Sequence, residues 1–181
     1  MAHGHLGMAL FEAGKAEEAM GHYQEAIRVK PNYVNAYNNR GIAYANLGRF
    51  QLAVEDFTKA INLQSNCAQA YYNRGNLYYK FGQYQQAVHD YNAVIRLRPE
   101  HLESYYNRGL AYIHLGQYRL AVNNFNQAVQ LKPDYADAWN NRAFVYLSLG
   151  NIASGCHDAQ KACALGVCAT LNAARGRGYC R

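Results

Sequence analysis

A period of 34 residues runs through most of the chain and constrains its fold more than any other feature. Tyr37, Tyr71, Tyr105 and Trp139 stand 34 apart, as do Arg40, Arg74, Arg108 and Arg142, and Tyr44, Tyr78, Tyr112 and Tyr146. Gly48, Gly82, Gly116 and Gly150 keep the same spacing, and Phe57, Tyr91 and Phe125 add a further aromatic. The string Tyr-Asn-Asn-Arg-Gly at 37–41 returns as Tyr-Tyr-Asn-Arg-Gly at 71–75 and 105–109. Self-similarity at a period of roughly 20–50 residues marks stacked supersecondary units, each too small to bury its apolar face alone.

Each half of a unit reads as a helix. Tyr37, Gly41 and Tyr44 fall at i, i+4, i+7, and so do Ala53, Phe57 and Ala60. Gly48 lies between the two halves, where a left-handed residue ends a first helix. Pro31, Pro99 and Pro133 follow the second halves and block their continuation, since proline lacks the N–H a helix interior needs. Two helices of about 14 residues with short turns make an antiparallel hairpin.

This unit resembles the tetratricopeptide repeat. The family's order of aromatic, small, aromatic, small, aromatic, Ala and Pro appears as Tyr105, Gly109, Tyr112, Ala121, Phe125, Ala128 and Pro133. Five units follow: 1–33, 34–67, 68–101, 102–135 and 136–169. The first has His3 for the leading aromatic but keeps Gly7, Ala19, Tyr23, Ala26 and Pro31, and the second has Ser65 in place of Pro. The resemblance implies an all-α, right-handed superhelical solenoid of five hairpins, forming a single domain over 1–181. Gly41 with Ala53, Gly75 with Ala87 and Gly109 with Ala121 are expected where the helices of a hairpin cross, because a larger side chain overpacks that contact by roughly 1–3 kcal/mol. In the fifth unit the pair becomes Ala143 with Gly155. Ala159 there replaces an aromatic, so residues 169–177 are expected to fill the space as a capping helix within the terminal segment 168–181.

Composition narrows the functional classes. No apolar run approaches the ~20 residues of a membrane span, and the start at Met1 to Phe11 lacks the basic and apolar regions of a signal peptide. The N-terminus enters directly into a repeat, as a piece of a longer chain would. Net charge is +6, but the repeat bodies mix both signs, and the Lys/Arg stripe expected of a nucleic-acid binder is missing. Seventeen tyrosines suit helix seams that border on water. The seven histidines show no metal-site spacing, His3 and His5 being a weak chelate at best, and no nucleophile motif, phosphate loop or paired acid appears. The expectation is a non-enzyme without cofactor or metal.

Asn39, Asn73, Asn107 and Asn141 recur in the middle of each first helix, at a cost of roughly 0.5–0.7 kcal/mol apiece against Ala. They share a stripe with Ile42 and Asn46, away from the packing aromatics. In the family that stripe lines a concave groove, and the arrangement resembles the asparagine ladder of O-GlcNAc transferase, whose amides bind peptide backbone. An amide both donates and accepts, so it suits an extended chain regardless of sequence. Asn38, Tyr72, Asn76, Tyr79, Lys80 and Tyr106 are expected in the same groove, with the side chains of Asn73, Asn107 and Asn141 largely unbonded within the molecule. Lys80 stands almost alone among amides and tyrosines, which argues against the paired cations of a carboxylate clamp.

The arginines read differently. Arg40 lies on an otherwise apolar stripe and needs a partner, because an unpaired buried charge is costly. Asp56, Asp90 and Asp158 follow Arg40, Arg74 and Arg142 by 16 residues, and Asn124 follows Arg108; structural pairs across each hairpin are expected. Cys156, Cys163, Cys168 and Cys180 lack zinc-site spacing, and four cysteines permit three pairings. A fold-back about 165–168 favours Cys156–Cys180 outside Cys163–Cys168. Paired cysteines indicate a periplasmic or extracellular protein and free thiols a cytoplasmic one.

The sequence therefore reads as a scaffold whose concave groove binds an extended segment of a protein or peptide partner, with no membrane and no nucleic acid involved. The rivals are an assembly or self-association module using its convex or end faces, and the regulatory portion of a larger enzyme.

Overall fold

The computed structural model describes residues 2–180, and every regular element among them is an α-helix. The helices are α1 (Ala2–Glu12), α2 (Ala16–Val29), α3 (Val34–Asn46), α4 (Phe50–Leu63), α5 (Ala68–Lys80), α6 (Tyr84–Leu97), α7 (Leu102–His114), α8 (Tyr118–Leu131), α9 (Ala136–Ser148), α10 (Ile152–Ala164) and α11 (Ala169–Gly176). Each odd helix from α1 to α9 pairs with the next as an antiparallel hairpin, and α11 packs on α9 and α10. The chain divides between Leu97 and Arg98 into two compact units, one holding α1–α6 and the other α7–α11.

The turn inside a hairpin follows from one glycine. Gly48 has φ +73°, a left-handed backbone that side chains with a Cβ resist. That geometry lets Arg49 N–H reach back to the Tyr44 carbonyl at 2.8 Å, satisfying an otherwise orphaned group at the end of α3. In the second unit Gly116 repeats the device at φ +70°, with Gln117 N–H on the Tyr112 carbonyl at 2.9 Å.

In the first unit, Ala19, Tyr23, Ala43, Tyr44, Ala53 and Phe57 form one buried cluster, and Tyr91 is buried in α6. In the second, Ala121, Val122, Phe125 and Val145 do the same. The close approach that requires glycine is to an aromatic ring rather than to the small residue expected opposite. A Cβ on Gly41 would lie 2.7 Å from Phe57 Cε1, and one on Gly109 would lie 2.7 Å from Phe125 Cε1. The fifth hairpin fits this rule: Ala143 is allowed a Cβ because Ala159, not a ring, stands 16 residues on. The exchange of small residues between Ala143 and Gly155 has a different cause, since a Cβ on Gly155 would meet Leu147 Cγ at 2.6 Å. Leu171 and Ala174 of α11 close over Ala143 and Ala159 and cover the apolar end of the last hairpin.

The leading aromatic of a repeat also makes a polar bond that its apolar pattern did not reveal. Tyr37 donates its hydroxyl to the Pro31 carbonyl at 3.2 Å, and Trp139 donates Nε1–H to the Pro133 carbonyl at 2.9 Å. The polar tip ties the start of one hairpin to the end of the one before.

Candidate functional site

Four arginines sit inside the hairpins, each bonded to a residue of the facing helix. Arg40 donates from Nε to Asp56 Oδ2 at 2.7 Å and from Nη2 to Oδ1 at 2.8 Å. Arg142 does the same to Asp158 at 2.6 and 2.9 Å. The guanidiniums lie near ring faces: Arg40 Cζ is 5.7 Å from both the Tyr37 and Tyr44 centroids, and Arg142 Cζ is 4.5 Å from that of Trp139. Arg74 pairs with Asp90, Oδ1 and Oδ2 both at 2.8 Å. A further acceptor went unnoticed in the sequence. Arg74 Nη1 donates to Thr58 Oγ1 at 2.9 Å and Arg142 Nη1 to Asn126 Oδ1 at 2.8 Å, each in the preceding hairpin. A polar residue 16 positions before each arginine was the available signal.

Arg108 differs, since its Nε donates to the neutral Asn124 Oδ1 at 2.7 Å. Burial pushes its pKa below the usual arginine value, whereas the hydrogen bond to Asp56 holds that of Arg40 above it.

The asparagines of the first helices are half-buried and engaged, which corrects the expectation of unbonded side chains. Asn73 donates from Nδ2 to Asn38 Oδ1 at 3.1 Å and accepts from Gln69 at 3.3 Å. Asn141 donates from Nδ2 to the Tyr106 hydroxyl at 2.9 Å. Asn107 also has a partner. Asn38 itself is buried, at 7% exposure, and donates to Asn39 Oδ1 at 3.2 Å. It lies in the seam between adjacent first helices instead of lining an open face. The physical reason is the 35-residue offset: in both bonds a residue of one first helix meets the next residue position on the following one. An amide there bridges two hairpins before it can meet anything else.

The remaining expected groove residues divide in the same way. Tyr72 packs its ring 6.3 Å from Tyr91, Tyr106 lies 4.9 Å from Tyr135 and 5.9 Å from Phe125, and Tyr79 meets Tyr84 edge-on at 5.5 Å. Burial, then the neighbouring Tyr84, raises the Tyr79 pKa. Lys80 places its ammonium 4.6 Å from the centroid of the Phe50 ring in the preceding hairpin. What the structure does gather is an open depression of about 170 Å³ on the first unit, lined by Ile42, Ala45, Asn46, Asn73, Asn76 and Leu77. Asn76 accepts from the Tyr91 hydroxyl at 2.8 Å. Asn46 makes no side-chain bond among the described residues.

Family models for the TPR repeat match residues 7–48 and 109–150, and models for the tetratricopeptide repeat match 34–67 and 68–101. The chain belongs to the tetratricopeptide repeat family. By its repeats it is a protein-interaction scaffold. Among solved structures it is similar to a MamA RS-1 double mutant, at 28% identity and TM-score 0.84, covering 89% of this chain and 90% of that one. It is similar also to MamA from Desulfovibrio magneticus RS-1, at 27% identity and TM-score 0.84, covering 91% and 93%. YrrB, described as a TPR protein with an unusual peptide-binding site, shares the fold at 20% identity and TM-score 0.86, covering 97% and 91%. None of the curated proteins compared matches the chain.

Among the described residues no group of three or more His, Cys, Asp or Glu could hold a metal ion. No described helix is long and apolar enough to cross a membrane. Cys156 is paired with Cys180 and Cys163 with Cys168, at Cα separations of 5.5 and 4.1 Å.

Proposed function

We propose that this scaffold holds an extended segment of a partner protein against the first-helix face of its repeats, through side-chain amides. The observation that carries the reading is the depression where Asn46, Asn73 and Asn76 surround an apolar floor of Ile42, Ala45 and Leu77. Asn73 spends one N–H on Asn38 and one lone pair on Gln69, which leaves one donor and one acceptor site. Asn39 uses only its oxygen, and Asn141 only one N–H, among the described residues. The seam bonds therefore fix the amides in orientation while leaving at least half their capacity for a peptide N–H and C=O. A group held in place before binding loses less freedom on binding. Rings and aliphatic side chains between the amides suit alternate side chains of the bound strand.

With few charges on this face, binding should depend little on salt. The stacking of Lys80 on Phe50 supports an amide reader over a carboxylate clamp. The two cystine pairs support maturation in a periplasmic or extracellular space.

The test is a partner recovered from the native host by pull-down, then titrated against variants. One amide bond contributes about 0.5–1.5 kcal/mol, so Asn46→Ala alone should weaken binding by at most about tenfold. Asn39→Ala, Asn46→Ala and Asn73→Ala together should weaken it by roughly one to three orders of magnitude. Full affinity in the triple variant, with its helical circular dichroism intact, would leave a convex or end face as the better account.

A further inference from the structure

We infer that the cleft between α9 and α11 in the second unit is a separate docking site for an acidic peptide segment carrying one aromatic or large aliphatic side chain. The cleft has a volume of about 310 Å³, with Leu147, Ala173 and Ala174 in its lining. That is the low end of the roughly 300–1,000 Å³ of small-ligand clefts, room for one large side chain. Phe144 and Tyr179 stand on its walls, each 45% exposed. Phe144 occupies the stripe position that holds Ile42 and Asn76 in earlier repeats, so the largest side chain of that series falls next to the cap. Two half-exposed rings facing an apolar floor are what an inserted ring or branched chain would cover.

Charge selects the occupant. Arg177 is the charged residue in the lining, and it has no ion pair among the described residues. From Ala159 to Cys180 there is no Asp or Glu, while Lys161, Arg175 and Arg177 are all basic. A carboxylate beside the inserted ring would find Arg177 available, and a basic segment would be repelled. The two small hydroxyls of the cleft are already used: Ser148 donates to the Phe144 carbonyl at 2.8 Å, and Thr170 donates to the Asn140 carbonyl at 3.3 Å.

The wall that carries Arg177 and Tyr179 is held in place. Tyr179 N–H bonds the Ala174 carbonyl at 3.0 Å, and the Cys156–Cys180 bridge anchors the chain one residue later. The site is thus largely formed before a ligand arrives.

Isothermal titration calorimetry tests this with three capped hexapeptides: Glu-Asp-Glu-Phe-Glu-Asp, its neutral form Gln-Asn-Gln-Phe-Gln-Asn, and its ring-less form Glu-Asp-Glu-Ala-Glu-Asp. The first should bind, and the other two should bind at least about tenfold more weakly. Phe144→Ala and Arg177→Glu, both exposed and checked by circular dichroism, should each weaken the first peptide at least about tenfold. Arg175→Glu, outside the lining, should weaken it clearly less than Arg177→Glu, and Asn46→Ala, on the other unit, should leave it unchanged. Failure of the first peptide to bind, equal binding of the neutral one, or an equal loss with Arg175→Glu overturns the site. So does a concentration-dependent dimer that Phe144→Ala abolishes, which would assign the cleft to a second copy of the chain. Because Asn46→Ala does not touch this cleft, the amide-face reading stands or falls by its own titration.

Discussion

Arg74 grips both carboxylate oxygens of Asp90 at 2.8 Å across its own hairpin and reaches Thr58 Oγ1 of the hairpin before at 2.9 Å. The Arg74 side chain is 13% exposed and that of Asp90 is 1% exposed. The two single deletions are therefore unequal. Arg74→Ala leaves a carboxylate that is 1% exposed with the His89 ring nitrogen, 3.3 Å from Oδ1, in place of the bidentate guanidinium, and should cost about 3–5 kcal/mol. Asp90→Ala strands a cation that keeps Thr58 and two tyrosine faces, so its cost should be smaller. Urea denaturation of the three proteins checks the order. Equal midpoints, or the reverse order, would show that burial of the acid does not set the penalty.

Arg108 and Asn124 put the same contact to a milder test. Asn124 accepts from Arg108 at 2.7 Å and gives its own N–H to the Leu120 carbonyl at 2.7 Å. Asn124→Asp would supply the carboxylate that Arg40, Arg74 and Arg142 already have and offset the burial that now pushes the Arg108 pKa down, while giving up the bond to the Leu120 carbonyl. A charge-assisted bond is about twice as strong as a neutral one, so a gain of about 1 kcal/mol is expected at pH 7. A carboxylate stabilised by a cation has its folded pKa depressed. The gain should then be present above the unfolded value of about 3.9 and vanish as pH falls through the folded value. Thermal melts of both proteins at pH 7 and pH 3 measure it; a lower Tm at pH 7 refutes it.

Gly109 and Phe125 should be energetically coupled. A Cβ at Gly109 would sit 2.7 Å from the ring edge, and overpacking of that kind costs roughly 1–3 kcal/mol. In a Phe125→Ala background the same Gly109→Ala change should cost almost nothing, since the ring is gone. A double-mutant cycle reads the difference directly. A coupling near zero would mean that the ring moves aside freely.

These three cases show which relationships a sequence exposes. The 16-residue offset from Arg40 to Asp56 is readable because the two helix lengths and the turn at Gly48 are fixed. The 34-residue period likewise locates every hairpin. The bond from Asn73 to Asn38 is not readable, because it depends on how one hairpin rests against the next, and no local pattern encodes that distance. For the same reason Thr58 and Asn126 passed as ordinary polar residues of a second helix. The Phe57 ring against Gly41 is not readable from the Gly41–Ala53 pairing, since two small residues suggest a crossing and a ring's reach is not visible in a string. Phe144 follows Ile42, Asn76 and Leu110 at one repeat position, and its meaning required knowing that α11 lies beside it.

Tyr23 gives the chain an alkaline limit. It is 1% exposed, and burial, then the charge of Glu12, raises its pKa above the usual tyrosine value. The unfolded chain ionises at about 10, before the folded one. Stability is thus full below about pH 10 and declines as pH rises through the folded pKa. Tyr23→Phe removes this ionisation, so its stability should fall less steeply between pH 10 and 11 than that of the parent. Identical slopes in denaturant titrations at those pH values would assign the alkaline limit to another group.

The Cys156–Cys180 bridge should stabilise α11 locally more than it stabilises the repeats. It joins residues 24 apart, and closing a loop of that size is worth roughly 3–4 kcal/mol against the unfolded chain. Leu171 and Ala174, both buried, are what α11 contributes to the cluster over Ala143 and Ala159. In the Cys156→Ser, Cys180→Ser variant those two side chains and the Thr170 bonds to Asn140 must hold a helix of eight residues, too short to persist without tertiary support. Amide hydrogen exchange should therefore speed up through α11, and to a lesser degree along the faces of α9 and α10 beneath it. The amides of α2 to α5 should keep their protection, because each repeat is stabilised by its neighbours and the perturbation lies at one end. Peptide mapping without reduction should first recover Cys156 linked to Cys180 and Cys163 linked to Cys168. Recovery of Cys168 linked to Cys180, or unchanged exchange in α11 of the variant, would refute the anchoring role of this bridge.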